Sequence, residues 1–118
     1  MTQDIFVEEL LGPKPSQLPS TLGFGKIFAN RIFSQEYNAE SGWSNARISS
    51  YKSFMLDPAC TVFHNGQMIF DGLKAYRRPD GNINLFRPFM NAERFNKSAS
   101  RMGMPNVDPK FHVSAIKK

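Results

Sequence analysis

Arg94, Ser98 and Arg101 recur at helical spacing in the stretch "NAERFNKSASRM". Residues three and four apart share a helix face, so with Lys97 they form a basic, hydroxylic stripe near the expected helix start. A cation beside a helix N-terminus suits a phosphate. The same residue types also make an ordinary solvated face. His64 and Asp71 are seven residues apart, and Cys60 stands four before His64. On one helix these would share a face, yet a zinc site needs more ligands than this. His64 therefore reads as a core or interface histidine. Lys74 lies early in an expected hairpin and reads as a solvated lysine. "GFG" at 23–25 is too short for a nucleotide loop and does not match the dinucleotide fingerprint. Gly66 is the odd residue of an otherwise apolar helical pattern, where glycine costs about 1 kcal/mol relative to alanine. It admits either a ligand or a neighbouring strand at close range.

The elements that must position these residues are legible in part. Residues 1–20 hold Pro13, Pro15 and Pro19 and read as a short amphipathic helical turn followed by an extended Pro-rich arm. "FGKIFANRIFSQEY", 24–37, is rich in aromatic and β-branched residues and reads as a long strand. "NAESGW" is a turn, and residues 46–58 read as a loop with a short strand. Asp57 suits an N-cap and Pro58 a first helical position. Apolar or small residues then recur at Ala59, Val62, Phe63, Gly66, Ile69 and Phe70, the stripe of a helix running to Gly72. Pro79-Asp80-Gly81 is a turn joining two short strands, about Leu73–Arg77 and Asn82–Phe86. A second helix follows Pro88, with Asn91 as its expected cap and Phe95, Ala99 and Met102 on one stripe. Asp108-Pro109 opens a further helix, which has run about two turns when it reaches Lys118. A domain rarely ends on an element that it does not finish, so the chain is expected to be an N-terminal fragment.

Composition narrows the class. A chain of 118 residues suffices for one small domain, and its eleven Phe suggest an aromatic core. No run of about 18 apolar residues exists, so no membrane span is expected. The N-terminus lacks the basic start and apolar middle of a signal peptide. The single Cys60 forms no internal disulfide, which suits the cytoplasm. The net charge of +5 raises the question of nucleic acid, but the Lys and Arg residues are scattered and no run exceeds two. An anionic small molecule accounts for the excess as well.

The ordered pieces "GFGKIF" (23–28), "SGWSNARI" (41–48), "LDPACTVFHNGQMIFDGLKAYRRPDGNINLFRP" (56–88) and "NAERFNKSASRMGMP" (91–105) resemble the N-terminal part of the branched-chain amino acid aminotransferases. These are pyridoxal 5'-phosphate enzymes of the D-amino-acid-aminotransferase fold type, fold type IV. The resemblance implies an α+β chain. Residues 1–21 would be an arm and 22–118 most of the small α/β domain, incomplete at its C-terminus and without the large catalytic domain. It implies that Arg94 binds the cofactor phosphate and that Phe24 and Phe70 line the pocket for an aliphatic side chain. The implied reaction moves an amino group between Leu, Ile or Val and 2-oxoglutarate, in a cytoplasmic homodimer or higher oligomer with no nucleic-acid or membrane partner. Three departures stand out. Asn65 replaces the usual pocket tyrosine and makes one wall polar. Asp71 replaces the usual glutamate. The family's Schiff-base lysine lies beyond residue 118, and Lys74 belongs to the hairpin motif instead. Other fold-type-IV enzymes, such as D-amino-acid aminotransferase or aminodeoxychorismate lyase, and a non-catalytic basic anion-binding module, are the alternatives.

Overall fold

The computed structural model describes residues 4–9 and 18–118. The chain divides into two units, Met1–Met55 and Leu56–Lys118, and both helix and strand are present. Among the described residues no helix is long and apolar enough to cross a membrane.

The first unit holds one three-stranded sheet, built from β1 (Phe6–Val7), β2 (Arg31–Asn38) and β3 (Gly42–Ser50). Its order is β1-β3-β2, with β3 parallel to β1 and antiparallel to β2. The expected turn between β2 and β3 is present, and the Glu40 amide donates to Asn38 Oδ1 at 2.8 Å within it. Tyr37 faces Trp43 across the ladder, ring edge to ring face at 5.1 Å, a pairing that favours this register. Burial concentrates on the central strand, at Ala46, Ile48 and Ser49.

Three expectations for this unit need correction. The arm over residues 1–20 falls partly outside the described residues, and its described portion forms β1 rather than a helical turn. Glu8 N donates to Ile48 O at 2.9 Å, so an existing edge of β3 recruits this segment into the sheet. The strand expected from Phe24 begins only at Arg31. Gly23 and Gly25 both take positive φ, and ladder pairing with β3 starts only at Arg31, opposite Ser50. β3 itself is longer than expected, because β2 supplies a partner along nearly its whole length. Pairing carries the polar residues Ser44, Asn45, Ser49 and Ser50 into a strand that their own propensity disfavours.

The second unit contains α1 (Thr61–His64), β4 (Ala75–Arg77), β5 (Ile83–Leu85), α2 (Pro88–Arg101) and α3 (Pro109–Lys117). The helix expected from Asp57 to Gly72 is reduced to the single turn of α1, and its N-cap is Cys60. Asp57 builds a turn ahead of the helix instead. Its Oδ1 accepts from Ala59 N at 2.7 Å, and its carbonyl accepts from Cys60 N at 2.9 Å. Gly66 is not mid-helix. It stands just past the C-cap Asn65 at φ +59°, a conformation that glycine reaches without a Cβ penalty and that ends a helix. Beyond it, Gln67, Ile69, Asp71 and Leu73 are half-buried while Met68, Phe70, Gly72 and Lys74 are exposed. That period of two belongs to a strand-like course rather than to a helix.

The hairpin forms as expected, with shorter strands. Ala75 faces Leu85, and Arg77 faces Ile83. Its turn closes through Arg78 N to Asn82 O at 2.8 Å and Gly81 N to Arg78 O at 3.0 Å. α2 begins at Pro88, which occupies the first helical turn where a missing N–H is harmless. Asn91 is therefore inside the helix and does not cap it.

Ala92 and Ala99 on α2 and Val113 and Ala115 on α3 are the buried apolar residues of this unit. The small alanines let two short helices approach closely. Phe95 meets the His112 ring edge-on at 4.9 Å. The Asn96 side chain holds Val107 from both directions, donating to its carbonyl at 2.7 Å and accepting from its amide at 2.9 Å. α3 is capped as the sequence indicates, with Asp108 Oδ1 accepting from Lys110 N and Phe111 N. These backbone bonds hold the Asp108 carboxyl below its usual range. The aromatic core expected from composition is not found. Phe24, Phe70 and Phe86 are 87%, 77% and 74% exposed, and no Phe is buried.

α2 ends in a Schellman motif: Met104 N donates to Ala99 O at 2.9 Å and Gly103 N to Ser100 O at 3.3 Å, with Gly103 at φ +66°. A Cβ at Gly103 would meet no neighbour, so the cost of alanine there is purely conformational. Gly103→Ala is expected to destabilise the unit by about 1–2 kcal/mol. Thermal melts of the full-length protein carrying the substitution check it, and an unchanged melting temperature contradicts the strain.

Candidate functional site

Charged and polar side chains converge where residues 71–72 meet α2. Arg94 Nε donates to Asp71 Oδ1 at 2.5 Å. Asn91, one turn earlier on the same helix, donates through Nδ2 to Gly72 O at 2.8 Å and to Asp71 Oδ2 at 3.3 Å. Arg94 Nη2 reaches the same Gly72 carbonyl at 3.4 Å. Two side chains at i and i+3 on one helix thus grip one acidic residue and the carbonyl after it.

The two charges are placed differently. The Asp71 side chain keeps 11% of its exposure and that of Arg94 keeps 62%. Hydrogen bonding from Arg94 lowers the Asp71 carboxyl below its usual range, aided by Asn91 and by the charges of Arg94 and His112, while burial opposes the shift. The same bond raises the Arg94 guanidinium. Burial lowers His112, and the nearby Asp71 charge partly offsets this. A carboxylate with a lowered pKa contributes its stabilisation fully above its unfolded value and loses it as pH falls through the folded one. The Asp71–Arg94 pair is thus intact at neutral pH.

This geometry changes the sequence reading of Arg94. Because α2 starts at Pro88, Arg94 is its seventh residue and stands well inside the helix. Its partner is Asp71, and the helix N-terminus plays no part. Ser98 is half-buried and Arg101 is exposed. Arg101 lines an open cleft with Glu93, Asn96, Lys97, Ser100 and Asn106, and Arg94 is outside that lining.

The other candidates fall in separate places. Phe70 directly precedes Asp71 and is largely exposed. Asn65 is the C-cap of α1, exposed, with its backbone amide donating to Thr61 O at 3.0 Å. Phe24 belongs to the first unit and is exposed. His64 and Asp71 do not share a helix face, since α1 ends at His64. The His64 ring instead bonds Pro58 O through Nε2 at 2.5 Å. Cys60 is a half-buried free thiol. Among the described residues no group of three or more His, Cys, Asp or Glu could hold a metal ion. Lys74 is exposed, as expected.

Sequence reasoning missed Asp71 as the partner of Arg94 and Asn91 as its support. The two partners are 23 residues apart. The usable signal was the i, i+3 pair Asn91 and Arg94, whose polar ends face one way on a helix. Misplacing Asp71 on a helix concealed it.

No protein-family model matches the chain. Curated relatives do. The chain is 46% identical over 98 residues to a branched-chain-amino-acid transaminase 1 of Bacillus subtilis, covering 83% of this chain and 28% of that protein. It is 43% identical over 106 residues to the cytosolic branched-chain-amino-acid aminotransferase of Saccharomyces cerevisiae, covering 90% and 27%. A probable branched-chain-amino-acid aminotransferase of Staphylococcus aureus is 42% identical over 120 aligned positions, covering 100% and 33%. The chain spans about a third of the length of the curated relatives it matches. An agreement this high along nearly all of the chain reflects common descent, and the chain belongs to the branched-chain-amino-acid aminotransferase family, as a stretch about a third of its members' length.

Proposed function

We propose that the protein containing this stretch is a pyridoxal 5'-phosphate-dependent transaminase that moves the amino group of leucine, isoleucine or valine to 2-oxoglutarate. Residues 22–118 then form most of its fold-type-IV small domain, residues 1–21 its N-terminal arm, and a large domain carries the Schiff-base lysine. The protein acts as a cytoplasmic homodimer or higher oligomer. The observation that carries this reading is Arg94, a guanidinium engaged through Nε while most of its side chain remains open to solvent.

The donor set fits a phosphate. Arginine offers five N–H groups in a planar fork, and Asp71 occupies only the Nε end at short range. The cofactor, when bound, supplies the electron sink for bond breaking at the amino acid's α-carbon. Arg94 holds the phosphate and thereby orients the ring. Phe70 presents apolar surface to the branched side chain, and Asn65 makes part of its surroundings polar; the family resemblance alone assigns the same kind of contact to Phe24. Their exposure in this chain agrees with a pocket completed by further polypeptide, since large apolar side chains this exposed mark surfaces that meet another one.

The direct test is glutamate formation by the full-length protein from each branched-chain amino acid and 2-oxoglutarate. Rates with leucine, isoleucine and valine no higher than with alanine or aspartate refute the substrate assignment.

Asn65→Tyr tests the pocket. It is expected to raise kcat/KM for leucine relative to a polar amino acid by about 10-fold, the scale of one added apolar contact. An unchanged ratio removes Asn65 from the pocket.

A further inference from the structure

We propose that Asp71 is the positioning residue for Arg94: it holds the guanidinium by Nε so that the terminal nitrogens face the cofactor phosphate. This rests on the reading of Arg94 as the phosphate ligand and adds how that ligand is aimed.

An arginine side chain has many rotamers, and a phosphate that binds it must otherwise order all of them. Here the ordering is done beforehand. Nε is bonded to Asp71 Oδ1 at 2.5 Å, and Nη2 rests on Gly72 O at 3.4 Å. The long second contact leaves the outer edge of the fork with donors to spare, on a side chain 62% exposed.

Asp71 is itself fixed. Its side chain is only 11% exposed, and Asn91 donates to its other oxygen while holding the next carbonyl. An aspartate has one rotatable bond fewer than the glutamate usual in the family, so it makes a stiffer anchor. This separates the pair from an ordinary surface ion pair, in which two mobile side chains gain little.

A carboxylate beside Arg94 also cancels charge that a phosphate needs. Asp71 takes the Nε side, so the anion and the carboxylate address different edges of one guanidinium. Orientation then outweighs the screened repulsion between two groups on opposite sides of a solvated cation.

The test uses the full-length enzyme stripped of cofactor. Binding of pyridoxal phosphate and of pyridoxal, which lacks the phosphate, is titrated for the parent and for Asp71→Asn, Asp71→Glu, Arg94→Ala and the Asp71→Asn/Arg94→Ala double variant. Asp71→Asn is expected to weaken pyridoxal phosphate about tenfold, the scale of one charge-assisted bond, and to leave pyridoxal unchanged. Asp71→Glu restores most of the loss. The double variant binds no more weakly than Arg94→Ala alone, because Asp71 acts only through Arg94. Equal weakening of both ligands by Asp71→Asn means a merely structural residue and overturns the proposal, as does unchanged or tighter pyridoxal phosphate binding. If Arg94→Ala weakens pyridoxal phosphate while Asp71→Asn does not, the positioning role alone fails. If Arg94→Ala itself has no effect, the phosphate reading of Arg94 falls, and this inference with it.

Discussion

Mixed with leucine, 2-oxoglutarate and pyridoxal phosphate, the 118-residue chain by itself is expected to form glutamate no faster than free pyridoxal phosphate does. Transamination by this cofactor needs a lysine that binds it covalently and then moves the proton. The resemblance assigns no lysine of this chain to that task. Lys74, three residues after Asp71, is exposed just ahead of β4, and Lys97, three after Arg94, is exposed on α2 and lines the separate cleft. The surroundings are also too open. Catalysis of this kind requires water to be excluded from the reacting carbon, and Phe24 and Phe70 are both largely exposed. The expected effect is complete loss relative to the full-length enzyme. Turnover clearly above a cofactor-only control would show that a lysine within the chain takes the role.

The next largest effect is expected from Arg94→Ala in the full-length enzyme. On its proposed role as phosphate ligand, removing this guanidinium should weaken cofactor binding by about 10-fold to 100-fold. The substitution also leaves Asp71, a half-buried carboxylate, without its cation, so some loss of stability accompanies it. Arg101→Ala is the control. Arg101 lies in the last turn of α2, is exposed, and lines a cleft apart from Arg94. It should change cofactor binding little. Dialysis of the two variants followed by measurement of retained cofactor distinguishes them, and equal retention in Arg94→Ala and the parent refutes the phosphate assignment.

Some of this architecture was legible in the residues themselves. The Pro79-Asp80-Gly81 turn and the Asp108 cap are local devices, and each appears where its chemistry indicates, whereas α2 starts at Pro88, ahead of the expected Asn91 cap. Arg94 was legible as an exposed cation on a helix. Its partner was not, because Asp71 was placed on a helix that ends at His64. An apolar run of this length satisfies helical and strand periods about equally well. The decision fell to Gly66, whose positive φ ends α1 and sends the chain on with a burial period of two.

What the sequence by itself determined is the set of elements whose signals lie within a few residues: the Asp108 cap, the hairpin turn, the α2 stripe and the family to which the ordered motifs belong. Each rests on a side chain acting on its own backbone neighbours, so no distant partner is needed. Only the tertiary structure decided three other things. It decided that Phe6–Val7 joins the edge of β3, that Ser44, Asn45, Ser49 and Ser50 run in a central strand, and that Asp71, braced by Asn91, holds Arg94. In each case the stabilising contact comes from another segment of the chain. A strand edge or a buried carboxylate has no preference of its own until that partner arrives.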